Sequence, residues 1–193
     1  MIDKARIESA ALDIYLKHIK RGSPAKSLAK IIKNEGLWFS EIDSKNKNFL
    51  GSIGQIGDSP LHIMVNKNIK PEGRKNFTIA HELGHYVLKH NLHGTSIICS
   101  KICEENEIVS DQEEEANYFA RCFLLPRERM VKEFTRWFKW KISPYSAVYL
   151  HIEPRGQKWR LWKAISGNLK KQFSVSEIVV KIRLVELGLI NNF

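Results

Sequence analysis

His81 and His85 stand four residues apart in the run His81-Glu82-Leu83-Gly84-His85. On an α-helix, residues at that spacing sit about 40° apart around the axis and one turn along it. Two imidazoles so placed can offer ring nitrogens to one metal ion. Glu82 lies at the edge of the same face, where it can take a proton from a water at that ion without being a ligand itself. Gly84 is a poor helix former, so its presence implies close approach of a backbone or a substrate. The competing reading is an exposed helix in which His and Glu share this spacing by chance. A third ligand separates the two.

Candidates for that ligand lie in the run Asp111-Gln112-Glu113-Glu114-Glu115-Ala116-Asn117-Tyr118-Phe119-Ala120. A catalytic zinc with two His ligands commonly takes one carboxylate and keeps one position open for water. Glu113, Asn117 and Ala120 form one helical stripe. That stripe can deliver the Glu113 carboxylate to the metal and the Asn117 amide to a ligand His from behind. Glu115 shares its stripe with Phe119 and Cys122, a neighbourhood too apolar for a metal, and Glu114 groups with Tyr118 and faces water. Acids at a helix start also suit the positive end of its dipole, which accounts for Asp111 and Glu114. Glu113 is the favoured third ligand.

Other groups compete for roles. His90, His93, Cys99 and Cys103 form a possible second, structural zinc set, but their spacing matches no standard finger. The plainer reading has the His residues closing a helix and the cysteines acting as small apolar residues. Cys122, beside Phe123 and Leu124, reads as core. Tyr86, His90, His93 and Tyr118 are all candidates to stabilise an oxyanion, and sequence does not choose among them.

Elements must hold these side chains in place. Ile7, Ala10, Ala11, Ile14, Tyr15 and His18 fall at helical spacing within residues 3–20. Ser23 and Pro24 are placed to open a second helix that runs to Gly36. From Leu37 the pattern turns to β, with strands expected at 37–39, 48–56 and 60–66 and a turn at Gly57-Asp58-Ser59-Pro60. Helices follow over about 72–90 and 111–124, separated by a connector at 91–109. A third helix opens at Pro126 and ends before Ser143-Pro144. The aromatic and basic stretch beyond it supports no assignment. The tail, Phe173 to Ile190, is helical with a Ser174-Val175-Ser176-Glu177 opening.

The expected fold is therefore α+β: a helix-rich, zincin-like domain with a small, about three-stranded antiparallel sheet beside the motif helix and a helical C-terminal region. Residues 1–130 form the metallopeptidase domain, and 131–193 a basic, Trp-rich helical region or small subdomain.

Composition bounds the setting. Hydrophobic residues make up 43% and charged residues 27% of 193, which is ordinary globular usage. No stretch is long and apolar enough for a membrane span. The opening Met1-Ile2-Asp3-Lys4 carries no signal region, so the expected compartment is the cytoplasm. Three cysteines fit reduced thiols rather than a disulfide framework. The net charge is +10, yet residues 104–120 hold seven acids and no base, so the basic excess lies elsewhere and above all in the C-terminal third. There Trp137, Trp140, Trp159 and Trp162 stand among lysines and arginines, a composition that can stack on nucleic acid. Spacing of three within each Trp pair is more often packing, so nucleic acid is not the favoured partner.

The run Asn76-Phe77-Thr78-Ile79-Ala80-His81-Glu82-Leu83-Gly84-His85 resembles the ImmA/IrrE family of metallo-endopeptidases. So do Glu113-x-Glu115-Ala116-Asn117-x-Phe119-Ala120, Leu124-Leu125-Pro126, Asn66, Arg74, and the ending Arg183-Leu184-x-x-Leu187-Gly188. The resemblance implies His81, His85 and Glu113 as zinc ligands and Glu82 as catalytic base. It also implies a regulatory protease that cuts a helix-turn-helix repressor. Residues 1–36 are too short for the helix-turn-helix many members carry there, and residues 131–167 are longer and richer in Trp than is usual. The rival class is a non-catalytic zinc-containing regulator that binds DNA or a protein through its basic C-terminal region.

Overall fold

Asp3 starts the first helix, α1 (Lys4–His18), its side chain accepting from the Arg6 amide at 3.1 Å. That is the ordinary work of an N-cap carboxylate. The structure, a computed structural model, describes residues 1–46, 48–55, 57–90, 97–99, 110–141, 149–153 and 155–192; at 97–99 and 139–141 it describes the backbone alone.

Pro24 does not open a long helix. Pro24–Ser27 form a 3-10 turn, and α2 follows over Leu28–Asn34. Ser23 makes no cap; its hydroxyl instead donates to the Phe173 carbonyl at 2.8 Å, tying the N-terminal segment to the C-terminal one. The strands are β1 (Trp38–Ile42), β2 (Gly51–Gly54), β3 (His62–Asn66) and β4 (Ile97–Cys99). The sheet order is β1-β3-β2-β4, with β2 antiparallel to both β3 and β4.

Two expectations about the sheet need correction. β1 pairs with β3 in parallel, Trp38 opposite His62 and Ile42 opposite Asn66, so the sheet is mixed rather than antiparallel. It also has a fourth strand, inside the stretch read as a connector. Asn66 shows how the parallel pair is held. Its amide donates to the Ser44 and Phe49 carbonyls at 3.3 and 3.1 Å and so pins the chain that crosses from β1 to β2.

The motif helix is α3 (Glu72–Val87), and every residue from Asn76 to His85 is buried. It can be so because it is covered on two sides: β2 and β3 pack on it from one, and α4 (Asp111–Leu124) from the other. α1 then packs on α4. The remaining helices are α5 (Arg127–Lys141), α6 (Gly156–Phe173) and α7 (Glu177–Glu186). α7 opens as expected, the Ser176 hydroxyl accepting from the Val179 amide.

Buried residues from Ile7 to Ile190 belong to one hydrophobic cluster. Trp162 is inside it, and Trp137 and Trp159 are half-buried against it. Arg183 is buried among the helices: its Nε donates to the Leu125 carbonyl at 3.1 Å and its guanidinium meets Glu8 of α1 at 2.5 Å. Among the described residues, no helix is long and apolar enough to cross a membrane.

Candidate metal centre

α3 supplies two imidazoles and α4 a carboxylate. His81 Nε2 and His85 Nε2 lie 3.0 Å apart. Glu113 reaches across with one oxygen for each, Oε2 at 3.2 Å from His81 and Oε1 at 3.4 Å from His85. One ligand atom from each of the three residues falls within 4.8 Å of the other two, an arrangement able to hold a metal ion. Glu113 sits in the first turn of α4, where Ser110 accepts from its amide at 3.3 Å and sets where the helix begins.

Each imidazole is held from behind. Asn117, one turn after Glu113, places its Oδ1 3.0 Å from His81 Nδ1. An amide oxygen only accepts, so His81 keeps its proton on Nδ1 and turns the Nε2 lone pair towards Glu113. His85 Nδ1 meets His90 Nδ1 at 2.8 Å. A Schellman turn brings His90 back to it: the Lys89 amide bonds the Tyr86 carbonyl and the His90 amide bonds the His85 carbonyl. Lys89 takes the left-handed position, φ 57°, that usually falls to glycine.

Residues 36–185 match the family model of the IrrE N-terminal-like domain, a peptidase family. The chain belongs to that family. No curated protein is significantly similar to it. α1, the 3-10 turn and the whole of α2 precede the span matched to the IrrE N-terminal-like domain.

The electrostatics of this IrrE-like site divide its carboxylates. Burial pushes Glu113 up, but when His81 and His85 are protonated their hydrogen bonds and charge outweigh it and hold the group well below the usual carboxylate range. Glu82 goes the other way. It is 0% exposed, and burial first, then the charge of Glu113, raise it well above its ordinary value. The Ile53 backbone offsets part of this, yet among the described residues neither Glu82 oxygen has a hydrogen-bond partner of good geometry. Burial also lowers His85, with the charges of His81 and His90 in the same direction and Glu113 opposing. The neutral imidazole so favoured is the form that ligates a metal.

Two glycines fit the site together. A Cβ on Gly84 would lie 2.9 Å from Phe119 Cδ1 and 3.3 Å from the Ala116 carbonyl, so the close approach inferred for Gly84 is that of α4. A Cβ on Gly51 of β2 would lie 2.8 Å from Thr78 Cγ2 and 3.2 Å from Glu82 Oε1. Gly51 therefore leaves room for the Glu82 carboxylate.

The structure thus brings His81, Glu82, His85, Glu113 and Asn117 to one place on two helices. Glu114 is exposed, as its stripe implied. Glu115 is not in an apolar setting: Oε2 lies 3.0 Å from His90 Nε2 and Oε1 accepts from Arg6 at 2.8 Å. Sequence reasoning missed it because Arg6 is on α1, and no local pattern tells which residue of α1 faces α4. Tyr86 donates to the Glu35 carbonyl at 3.3 Å, and Tyr118 packs beneath Lys4, Arg121 and Arg183. Both are committed to other contacts. His93, Cys103 and the Cys99 side chain lie outside the described residues, and the second zinc set with them.

Proposed function

We propose that this chain is a zinc-dependent endopeptidase in which His81, His85 and Glu113 hold the ion and Glu82 is the catalytic base. The observation that carries the reading is the pairing of three converged ligand atoms with two buried Glu82 oxygens that have no hydrogen-bond partner of good geometry among the described residues. The donor set fits the metal chemically: two imidazoles and one carboxylate are a common catalytic zinc set, and Asn117 supplies the second layer such ligands need. Bound there, zinc would polarise the scissile carbonyl and make water a stronger acid.

The chain's own residues do the rest. Burial and Glu113 raise the proton affinity of Glu82, which suits a group that takes a proton from water and hands it to the leaving amine. Of the four residues, Glu113 alone has a partly exposed side chain, at 29%, while His81, Glu82 and His85 are closed off. A peptide would approach from the Glu113 side. The substrate we infer is a regulatory protein, a helix-turn-helix repressor, cut in the cytoplasm to change gene expression. What supports this is membership of the IrrE-like family together with the resemblance of the three sequence blocks.

The test is elemental analysis with a cleavage assay on wild type, Glu113→Ala, Glu115→Ala and Glu82→Gln. Near-stoichiometric zinc in wild type, lost in Glu113→Ala and retained without activity in Glu82→Gln, is the expected pattern. Zinc-free wild type after supplementation would refute the peptidase reading.

A further inference from the structure

Three links lead from a ligand imidazole to the surface. His85 Nδ1 lies 2.8 Å from His90 Nδ1; His90 Nε2 lies 3.0 Å from Glu115 Oε2; Glu115 Oε1 accepts from Arg6 Nη2 at 2.8 Å. His85 is fully buried, whereas the Arg6 side chain is 50% exposed.

The sense of the chain follows from its outer end. A guanidinium only donates, and an ionised carboxylate only accepts. His90 Nε2 must then carry a proton, so the Nδ1 of a neutral His90 is an acceptor. With His90 neutral, His85 Nδ1 is the donor, which leaves the lone pair on His85 Nε2, the atom facing His81 and Glu113.

Arg6 stands on α1, before the family-matched residues 36–185. The helix is held without it, because Glu8 pairs with Arg127 at 3.2 Å and with Arg183 at 2.5 Å. Arg6 is thus free to serve the chain of bonds rather than the docking of α1.

We propose that His90, Glu115 and Arg6 are positioning residues that fix His85 as a metal donor and make the N-terminal helix part of the metal site. The proposal rests on the zinc reading above and deepens it. Groups that orient a ligand His from behind typically change metal affinity by about 10–100-fold when removed. Arg6, two links further out, should act more weakly.

The test is zinc affinity of the full chain by competition with a chromophoric chelator, with unfolding of the metal-free protein measured in parallel. His90→Phe should weaken zinc roughly 10–100-fold. His90→Asn, whose amide oxygen can still accept from His85 Nδ1, should recover most of that loss, and the visible absorption of the cobalt-loaded protein should move in His90→Phe and return in His90→Asn. Glu115→Gln and Arg6→Gln, both at partly exposed sites, should weaken zinc with metal-free stability unchanged; they carry the test should His90→Phe fail to fold. Zinc affinity within twofold of wild type in Glu115→Gln and Arg6→Gln overturns the proposal. So does His90→Asn as weak as His90→Phe, which would mean packing alone. If wild type holds zinc, Glu113→Ala loses it and these variants do not respond, the chain of bonds fails while the zinc reading stands. If wild type holds no zinc, both fall.

Discussion

Gly84→Ala puts the closeness of α3 and α4 to the test. In an exposed helix the change from Gly to Ala should stabilise by about 0.8–1.0 kcal/mol, because glycine gives up more backbone freedom on folding. At Gly84 the new Cβ would sit 2.9 Å from Phe119 Cδ1, 3.2 Å from its Cγ and 3.3 Å from the Ala116 carbonyl oxygen. Ordinary carbon contacts lie at about 3.5–4.0 Å. Neither neighbour can yield cheaply. Phe119 is fully buried and stacks on Phe123 with ring centroids 5.9 Å apart, and the Ala116 oxygen is backbone. Overpacking of this kind costs about 1–3 kcal/mol. Set against the helix gain, the net expectation is a loss of about 1 kcal/mol, from the same two terms.

Urea unfolding of the metal-free chain measures it, and Gly167→Ala in α6 is the control. Among the described residues nothing lies within 4 Å of a Cβ at Gly167, so that variant should show the propensity gain alone. Zinc affinity is the second readout. His81 and His85 are on α3 and Glu113 is on α4, so any increase in helix separation opens gaps now at 3.2 and 3.4 Å. A roughly tenfold loss of zinc affinity, worth about 1.4 kcal/mol, is expected. If Gly84→Ala matched Gly167→Ala in stability and bound zinc like wild type, the packing argument for this helix pair would be wrong.

Three further outcomes follow from groups away from the metal. Arg183→Met removes one partner of a buried pair and leaves Glu8 to Arg127 alone; a loss towards the lower end of about 3–5 kcal/mol is expected in urea unfolding, and under 1 kcal/mol would contradict it. Burial raises Glu8, but hydrogen bonds and charge from Arg127 and Arg183 outweigh it and hold its carboxyl below 4.5. A depressed folded value gives stability that is present above the ordinary value and lost as pH falls through the folded one. The stability gap between wild type and Glu8→Gln should accordingly close on acidification below about pH 4.5, and a constant gap from pH 7 to 3 would count against these contacts. Burial pushes the Cys122 thiol up to about 11, so at pH 8 thiol reagents should leave its peptide unmodified until the protein unfolds; rapid labelling of the folded chain would show that α4 opens.

What could be read from the residues was what depends on near neighbours along the chain. The four-residue spacing of His81 and His85, the Glu113–Asn117 stripe and the exposure of Glu114 are consequences of helical pitch, which is the same in every helix. The extents of α3 and α4, and the Ser176 opening of α7, came from equally local signals. Tertiary structure decided which faces meet. Alternation marks Leu61 to Val65 as a strand yet cannot say that β1 pairs with it in parallel, because pairing is between residues distant in sequence. Ser23 reads as a cap and bonds Phe173 instead. Glu115 reads as the neighbour of Phe119 and Cys122, and only the packing of α1 on α4 supplies Arg6 and, with the turn at Lys89, His90. The triad His81, His85 and Glu113 is thus encoded by the periodicity of two helices, while the distance between those helices, and the groups that hold the two imidazoles from behind, arise from close packing across the whole chain.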